Sequence, residues 1–135
     1  MEPMSDRARV RLVNLRNGLL RLHKCLLDSE RAAYEKDVAR ITSTGQYLNL
    51  VLNDPWFAWL RELSQFVVLV DETLDFKQDP ATPADADRLI ARARELVSPS
   101  ESAANGFARK YFEAMQRDPG VVLAHRDMIR AFENL

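Results

Sequence analysis

Cysteine occurs once in the 135 residues, at Cys25. A single thiol excludes an intrachain disulfide and fits a reducing compartment. Glycine is nearly as scarce, at four residues. No Gly-x-Ser-x-Gly elbow and no phosphate-cradling glycine loop can be drawn, which removes the commonest serine-hydrolase and nucleotide-binding signatures. Strand-like alternation of apolar and polar residues is almost absent. Long apolar runs are missing too: the longest, Phe66 to Val70, is far short of the ~18 residues that read as a membrane span. The opening stretch MEPMSDRARVRL lacks the apolar run of a signal peptide. These absences lead to the expectation of a cytoplasmic protein with no membrane segment and no implied cofactor.

What is present is enough for one ordinary domain over residues 1–135, since apolar residues make up 47% and charged residues 29% of the chain. Such a composition can bury a core without disulfides or metals. The apolar residues recur with a helical period nearly throughout. Ser5 or Asp6 is placed to cap a first helix running to about Ile41, with Val13, Leu20, Leu27, Tyr34 and Ile41 on one line. Leu12, Leu19, Leu26 and Ala33 lie on the next. Asn17-Gly18 is the expected bend in a helix of that length. Ser43 and Gln46 have capping-box spacing before a short helix from Gln46 to Leu52. Asp54-Pro55, Thr82-Pro83 and Asp118-Pro119 each pair a cap with a proline, the residue best tolerated in the first helical turn. They mark helices from Pro55 to about Phe76, from Pro83 to Val97, and from Pro119 onward, the last with Val121, Val122, Met128, Ile129 and Phe132 inward. KQDPATP reads as a loop. Ser98-Pro99-Ser100 ends one helix and precedes another carrying Phe107, Tyr111, Phe112 and Met115. The expected architecture is all-α, a bundle of four main helices with one or two short ones.

Net charge is −1 but unevenly spread. Residues 1–27 carry six basic and two acidic groups, a net of +4, and residues 53–87 carry two and eight, a net of −6. Opposite segments can attract within one chain or between copies. Arg7, Arg9, Arg11, Arg16, Arg21 and Lys24 are spread right round the first helix instead of lining one groove, and the isoelectric point of about 6.1 argues further against nucleic-acid binding.

Both histidines fall on apolar faces. At ~100° per residue with Leu12 as zero, Arg16 lies at about 40°, His23 at about 20° and Glu30 at about 0°, within the apolar stripe. With Val122 as zero, His125 lies at about 300°, between Ile129 and Phe132. One reading is a polar ligand or metal site inside the bundle, formed by His23, Glu30 and His125 with Asp71 from the neighbouring helix. The Glu-x-x-His signature of carboxylate-bridged metal pairs is absent. The other reading is structural, with histidines buried beside hydrogen-bond partners and Arg and Glu reaching the rim. Cys25, in mid-helix, lacks the helix N-terminus that lowers a thiol pKa. Asp71-Glu72 point ~100° apart on a helix and make a poor acid–base pair. No catalytic residue is assigned.

The stretch NDPWFAWLREL, residues 53–63, holds both tryptophans. Its spacing places Trp56 at the head of an inward stripe through Leu60, Leu63, Val67, Val70 and Leu74. Trp59 stands nearer the edge, where a partner or ligand could reach it. Phe66 to Val70 is apolar on all sides and calls for cover all round, either from the other helices or, at Leu69, from a second chain. Together with the long first helix and the charge asymmetry, this favours a non-enzymatic protein acting through protein contacts, as a homodimer. The segments LLRLHKCLLDSERAAYE and NDPWFAWLRELSQFVVLVDE resemble a group of small, uncharacterised bacterial all-helical proteins with no attached activity. The resemblance covers roughly the first half of the chain and implies a bacterial, cytosolic origin.

Overall fold

The computed structural model describes residues 3–75, 80–103 and 106–135, with side chains from Asp6 onward. Its described residues form six α-helices and no strand. These are α1 (Pro3–Asp37), α2 (Thr44–Asn53), α3 (Arg61–Asp75), α4 (Pro83–Leu96), α5 (Gly106–Arg117) and α6 (Pro119–Glu133). A 3₁₀ segment, Pro55–Leu60, leads into α3.

The helix starts follow from their caps. Ser43 accepts from the Gln46 amide before α2, and Asp54 accepts from Trp56 N before the 3₁₀ segment. At α4 the Thr82 hydroxyl and the Asp85 carboxylate satisfy each other's backbone N–H, a complete capping box. Asp118 accepts from Gly120 N before α6. All three cap-plus-proline steps therefore start helical structure, although Asp54-Pro55 opens a 3₁₀ turn and not an α-helix. Ser98-Pro99-Ser100 closes α4, with Ser98 Oγ donating to the Arg94 carbonyl at 2.7 Å, and does not cap α5, which starts at Gly106, whose φ of 83° suits glycine. Phe76 and the first half of the KQDPATP loop lie outside the described residues.

α1 stops at Asp37, short of the expected Ile41, and runs unbroken through Asn17-Gly18. It packs against α3, α4, α5, α6 and the 3₁₀ segment. Its buried line is Leu12, Leu15, Leu19, Leu22 and Leu26, none more than 1% exposed. That line centres at about 320° on the scale with Leu12 as zero. The line through Val13 and Leu20 is therefore peripheral, and Leu20 is 45% exposed. Gly18 has a packing role: a Cβ built there would stand 2.9 Å from the Met128 sulfur of α6.

The 3₁₀ geometry reorders the aromatic stretch. At about three residues per turn, positions i and i+3 eclipse. Phe57, Leu60 and Leu63 therefore share one fully buried line, and Trp56 and Trp59 share a second, half-buried one. The expectation that Trp56 leads the inward stripe rested on an α-helical count and is corrected. On α3, Val68 is 52% exposed and Leu69 half-buried, so the other helices do not cover this helix all round. On α6 the core side is Val121, Met128 and Phe132; Val122 and Ile129 face outward, against expectation.

Opposite charges meet within the chain. Arg11 donates to Asp87 at 2.8 Å and to the Leu135 carbonyl at 2.7 Å; Arg16 donates to Asp71 at 3.1 Å; Arg9 donates to the Leu74 carbonyl at 3.0 Å. Such exposed pairs each contribute less than about 1 kcal/mol and mainly set register.

Gly18→Val is expected to destabilise the protein by about 1–3 kcal/mol in urea unfolding, because β-branched bulk would have to displace the buried Met128. In a Met128→Ala background the cost should shrink. A neutral single variant would show that α1 and α6 do not approach closely at this point.

Candidate functional site

Ser29 and Glu30 of α1 are the only buried polar residues among those described, at 4% and 5% exposure. A carboxylate so placed needs a partner, since an unpaired buried charge costs several kcal/mol. The partner is Arg117, in the last turn of α5, whose Nη2 donates to Glu30 Oε1 at 2.9 Å and to Ser29 Oγ at 3.1 Å. Glu30 lies at about 0°, roughly 40° from the true centre of the leucine stripe, whereas Arg16 and His23 lie nearer its edge and are only half-buried.

Above this pair lies a cleft of about 400 Å³. α1 supplies Glu30, Ala33 and Asp37; the 3₁₀ segment supplies Trp56 and Trp59; α5 supplies Lys110, Glu113 and Arg117. The aromatic walls are themselves packed. Trp56 meets Tyr34 edge-on, with ring centroids 5.7 Å apart, and Trp59 lies 5.3 Å from Phe107. The contacts continue from Phe107 to Tyr111 and from Tyr111 to His125. The two indole Nε1 atoms are buried and have no hydrogen-bond partner among the described residues, and neither has Arg61 Nε nearby in sequence. A second, larger groove of about 600 Å³ runs past Glu62, Leu69, Arg92, Glu95 and Phe107. Leu69 is thus half-buried on a groove wall.

The residues singled out in the sequence go to separate places. Glu30 pairs with Arg117, Asp71 with Arg16, and His125 Nδ1 with the Tyr111 hydroxyl at 2.7 Å. No hydrogen bond or ion pair joins His23, Glu30, His125 or Asp71 to another of the four, and among the described residues no group of three His, Cys, Asp or Glu is placed to hold a metal ion. Burial holds both histidines below their ordinary pKa and pushes the Tyr111 hydroxyl well above its own. A protonated phenol donating to a neutral imidazole is the arrangement these shifts favour. Burial also raises the Cys25 thiol, so it is not an activated nucleophile. Trp59 lines the cleft together with Trp56, a placement set by the 3₁₀ turn and not by the α-helical count. Trp56, Lys110 and Arg117 were not legible as site residues, because the 3₁₀ turn and the packing of α5 on α1 bring them there.

No family model, curated protein or solved structure matches the chain. The likeness to small bacterial helical proteins is carried no further. No helix among the described residues is long and apolar enough to cross a membrane.

Two outcomes follow. Arg117→Ala should cost about 2–3 kcal/mol, below the range for a fully buried pair because Arg117 is itself half-exposed; equilibrium unfolding measures it, and a cost below about 0.5 kcal/mol, typical of a surface position, would contradict the assignment. The histidines set an acid dependence. Their folded pKa values lie below 6.5, so below that pH the unfolded chain takes up protons that the folded chain resists. Stability should therefore fall as pH drops through this window, with a smaller fall in His23→Gln. Equal urea midpoints at pH values above and below the window would contradict it.

Proposed function

We propose that this is a non-enzymatic helical-bundle protein that works through protein contacts, with a second copy of itself as the partner. The observation that carries the reading is α2. This helix buries none of its residues, and Leu48 and Leu52, one turn apart, are 57% and 59% exposed. No charged residue occurs from Ile41 to Asn53, in a chain that is 29% charged as a whole. Depletion of charge around exposed aliphatic residues marks the centre of protein interfaces more than it marks free surface. A ten-residue helix is also marginal alone in water. Here α2 is held mainly by the 3₁₀ segment, by Tyr47 against Phe57, and by the Arg31 guanidinium over the Tyr47 ring.

A neutral apolar face suits self-association. Across a two-fold axis each patch meets its own copy, so a charged patch repels itself whereas an uncharged one does not. The long-range charge asymmetry gives less support to a dimer, since α1 arginines are already engaged by Asp71 and Asp87 of the same chain.

Sedimentation velocity is expected to give a dimer at micromolar concentration, and Leu48→Glu with Leu52→Glu should convert it to a monomer of nearly unchanged melting temperature. A wild-type monomer across that range removes the homodimer reading.

A further inference from the structure

The outward face of α2 has a layout that specifies how two copies meet. At ~100° per residue with Gly45 as zero, Leu48 lies at about 300°, Asn49 at about 40° and Leu52 at about 340°. All four are exposed, whereas the half-buried Tyr47, Leu50 and Val51 lie on the opposite side, from about 140° to about 240°. We propose that this face pairs with itself as two antiparallel helices, across a two-fold axis passing between residues 48 and 49. In that register Gly45 receives the partner's Leu52, and Leu48 packs beside the partner's Asn49. The register rests on the homodimer reading above and adds its geometry, and the two can fail separately.

Gly45 is a glycine that its own chain does not require. Its φ is not positive, since Gly106 alone adopts that conformation among the described residues. The cap of α2 is Ser43, two residues earlier. A Cβ built at Gly45 would meet nothing within 4 Å, unlike one at Gly18, which would meet Met128. Yet glycine weakens a helix relative to alanine. On the outward face it leaves a hollow, and Leu52, 59% exposed, is a protrusion on the same line. Hollow and protrusion stand about 10.5 Å apart along the axis, at 1.5 Å per residue. Turning one helix end for end against the other sets each leucine over the other's glycine, so both ends of the contact are filled. A parallel pair sets glycine against glycine, which leaves a void, and leucine against leucine. Large residues opposite small ones are what close packing needs. The antiparallel pair also opposes the two helix dipoles.

Asn49 makes the centre of the face polar in a self-complementary way. Its Oδ1 accepts from Asn53 Nδ2 at 2.8 Å, which holds the side chain and leaves its own amide N–H groups to donate elsewhere. An amide both donates and accepts, so two Asn49 side chains beside a two-fold axis can bond to each other, as two carboxylates or two ammonium groups cannot. One polar residue within an apolar helix pair fixes register. A ten-residue helix offers a contact at the small end of specific interfaces, in keeping with association in the micromolar range.

The register is read by sedimentation velocity on the full chain and its variants. Gly45→Leu is expected to weaken the dimer at least about tenfold, because leucine then meets leucine. Its melting temperature when dilute should be no lower than wild type, since the position is open in the single chain. Adding Leu52→Ala should restore much of the association by returning small against large. Cross-linking checks the same pairing in a Cys25→Ser background. Under mild oxidation, a mixture of Gly45→Cys and Leu52→Cys chains should form the mixed disulfide, whereas Leu52→Cys alone should form little, its thiols lying too far apart. Dimerisation of Gly45→Leu as tight as wild type, no rescue by Leu52→Ala, or ready cross-linking of Leu52→Cys alone would each overturn the register while leaving a dimer standing. A wild-type monomer removes the homodimer reading and the register with it.

Discussion

The buried line of Leu12, Leu15, Leu19, Leu22 and Leu26 is the constraint around which the rest of the molecule is arranged. Spaced alternately three and four apart, these side chains form a continuous ridge on one face of α1. Each contributes about 1.5–3 kcal/mol when removed from water. α3, α4, α5, α6 and the 3₁₀ segment all dock on α1. The position of the ridge decides which polar residues of α1 are exposed, which half-buried and which, like Glu30, are drawn inside. It also decides where α5 must end, because Arg117 has to reach the buried carboxylate.

Much of this was legible in the sequence for a physical reason: caps and prolines act locally. Thr82-Pro83 with Asp85, Asp54-Pro55 and Asp118-Pro119 determine their own geometry within four residues, and each starts helical structure where the pattern places it. Facing is a collective property and was read less well. Taking Val13 and Leu20 as a core line rotated the inferred stripe of α1 toward Arg16 and His23, whereas Leu15 and Leu22 place it on the other side of Leu12. On α6, Val122 and Ile129 are as apolar as their neighbours, and only the docking of α1 selects Val121, Met128 and Phe132 in their place. The 3₁₀ turn has the same origin. No residue in PWFAWL forbids an α-helix after its proline, yet the tighter turn brings Phe57 under Tyr34 and Tyr47 and swings both tryptophans to one side.

The candidate site shows the same division. Of His23, His125, Glu30 and Asp71, only Glu30 is buried, and Glu30, Asp71 and His125 each pair with a different residue. Trp59 is half-buried on the same side of the 3₁₀ segment as Trp56. Its neighbours in the cleft come from three elements far apart in sequence, which helical spacing cannot connect. One surface then stands out: α2 combines exposed leucines with an absence of charge.

The leucine ridge of α1 anchors the fold, whereas α2, held by few contacts of its own chain, is proposed to gain further cover from a second copy. Hydrogen exchange at a series of protein concentrations tests this most directly. Amides of α1 from Leu12 to Leu26 should be the slowest to exchange and independent of concentration, while those of α2 from Tyr47 to Asn53 should become more protected as concentration rises. Protection of α2 that does not change with concentration would contradict the account.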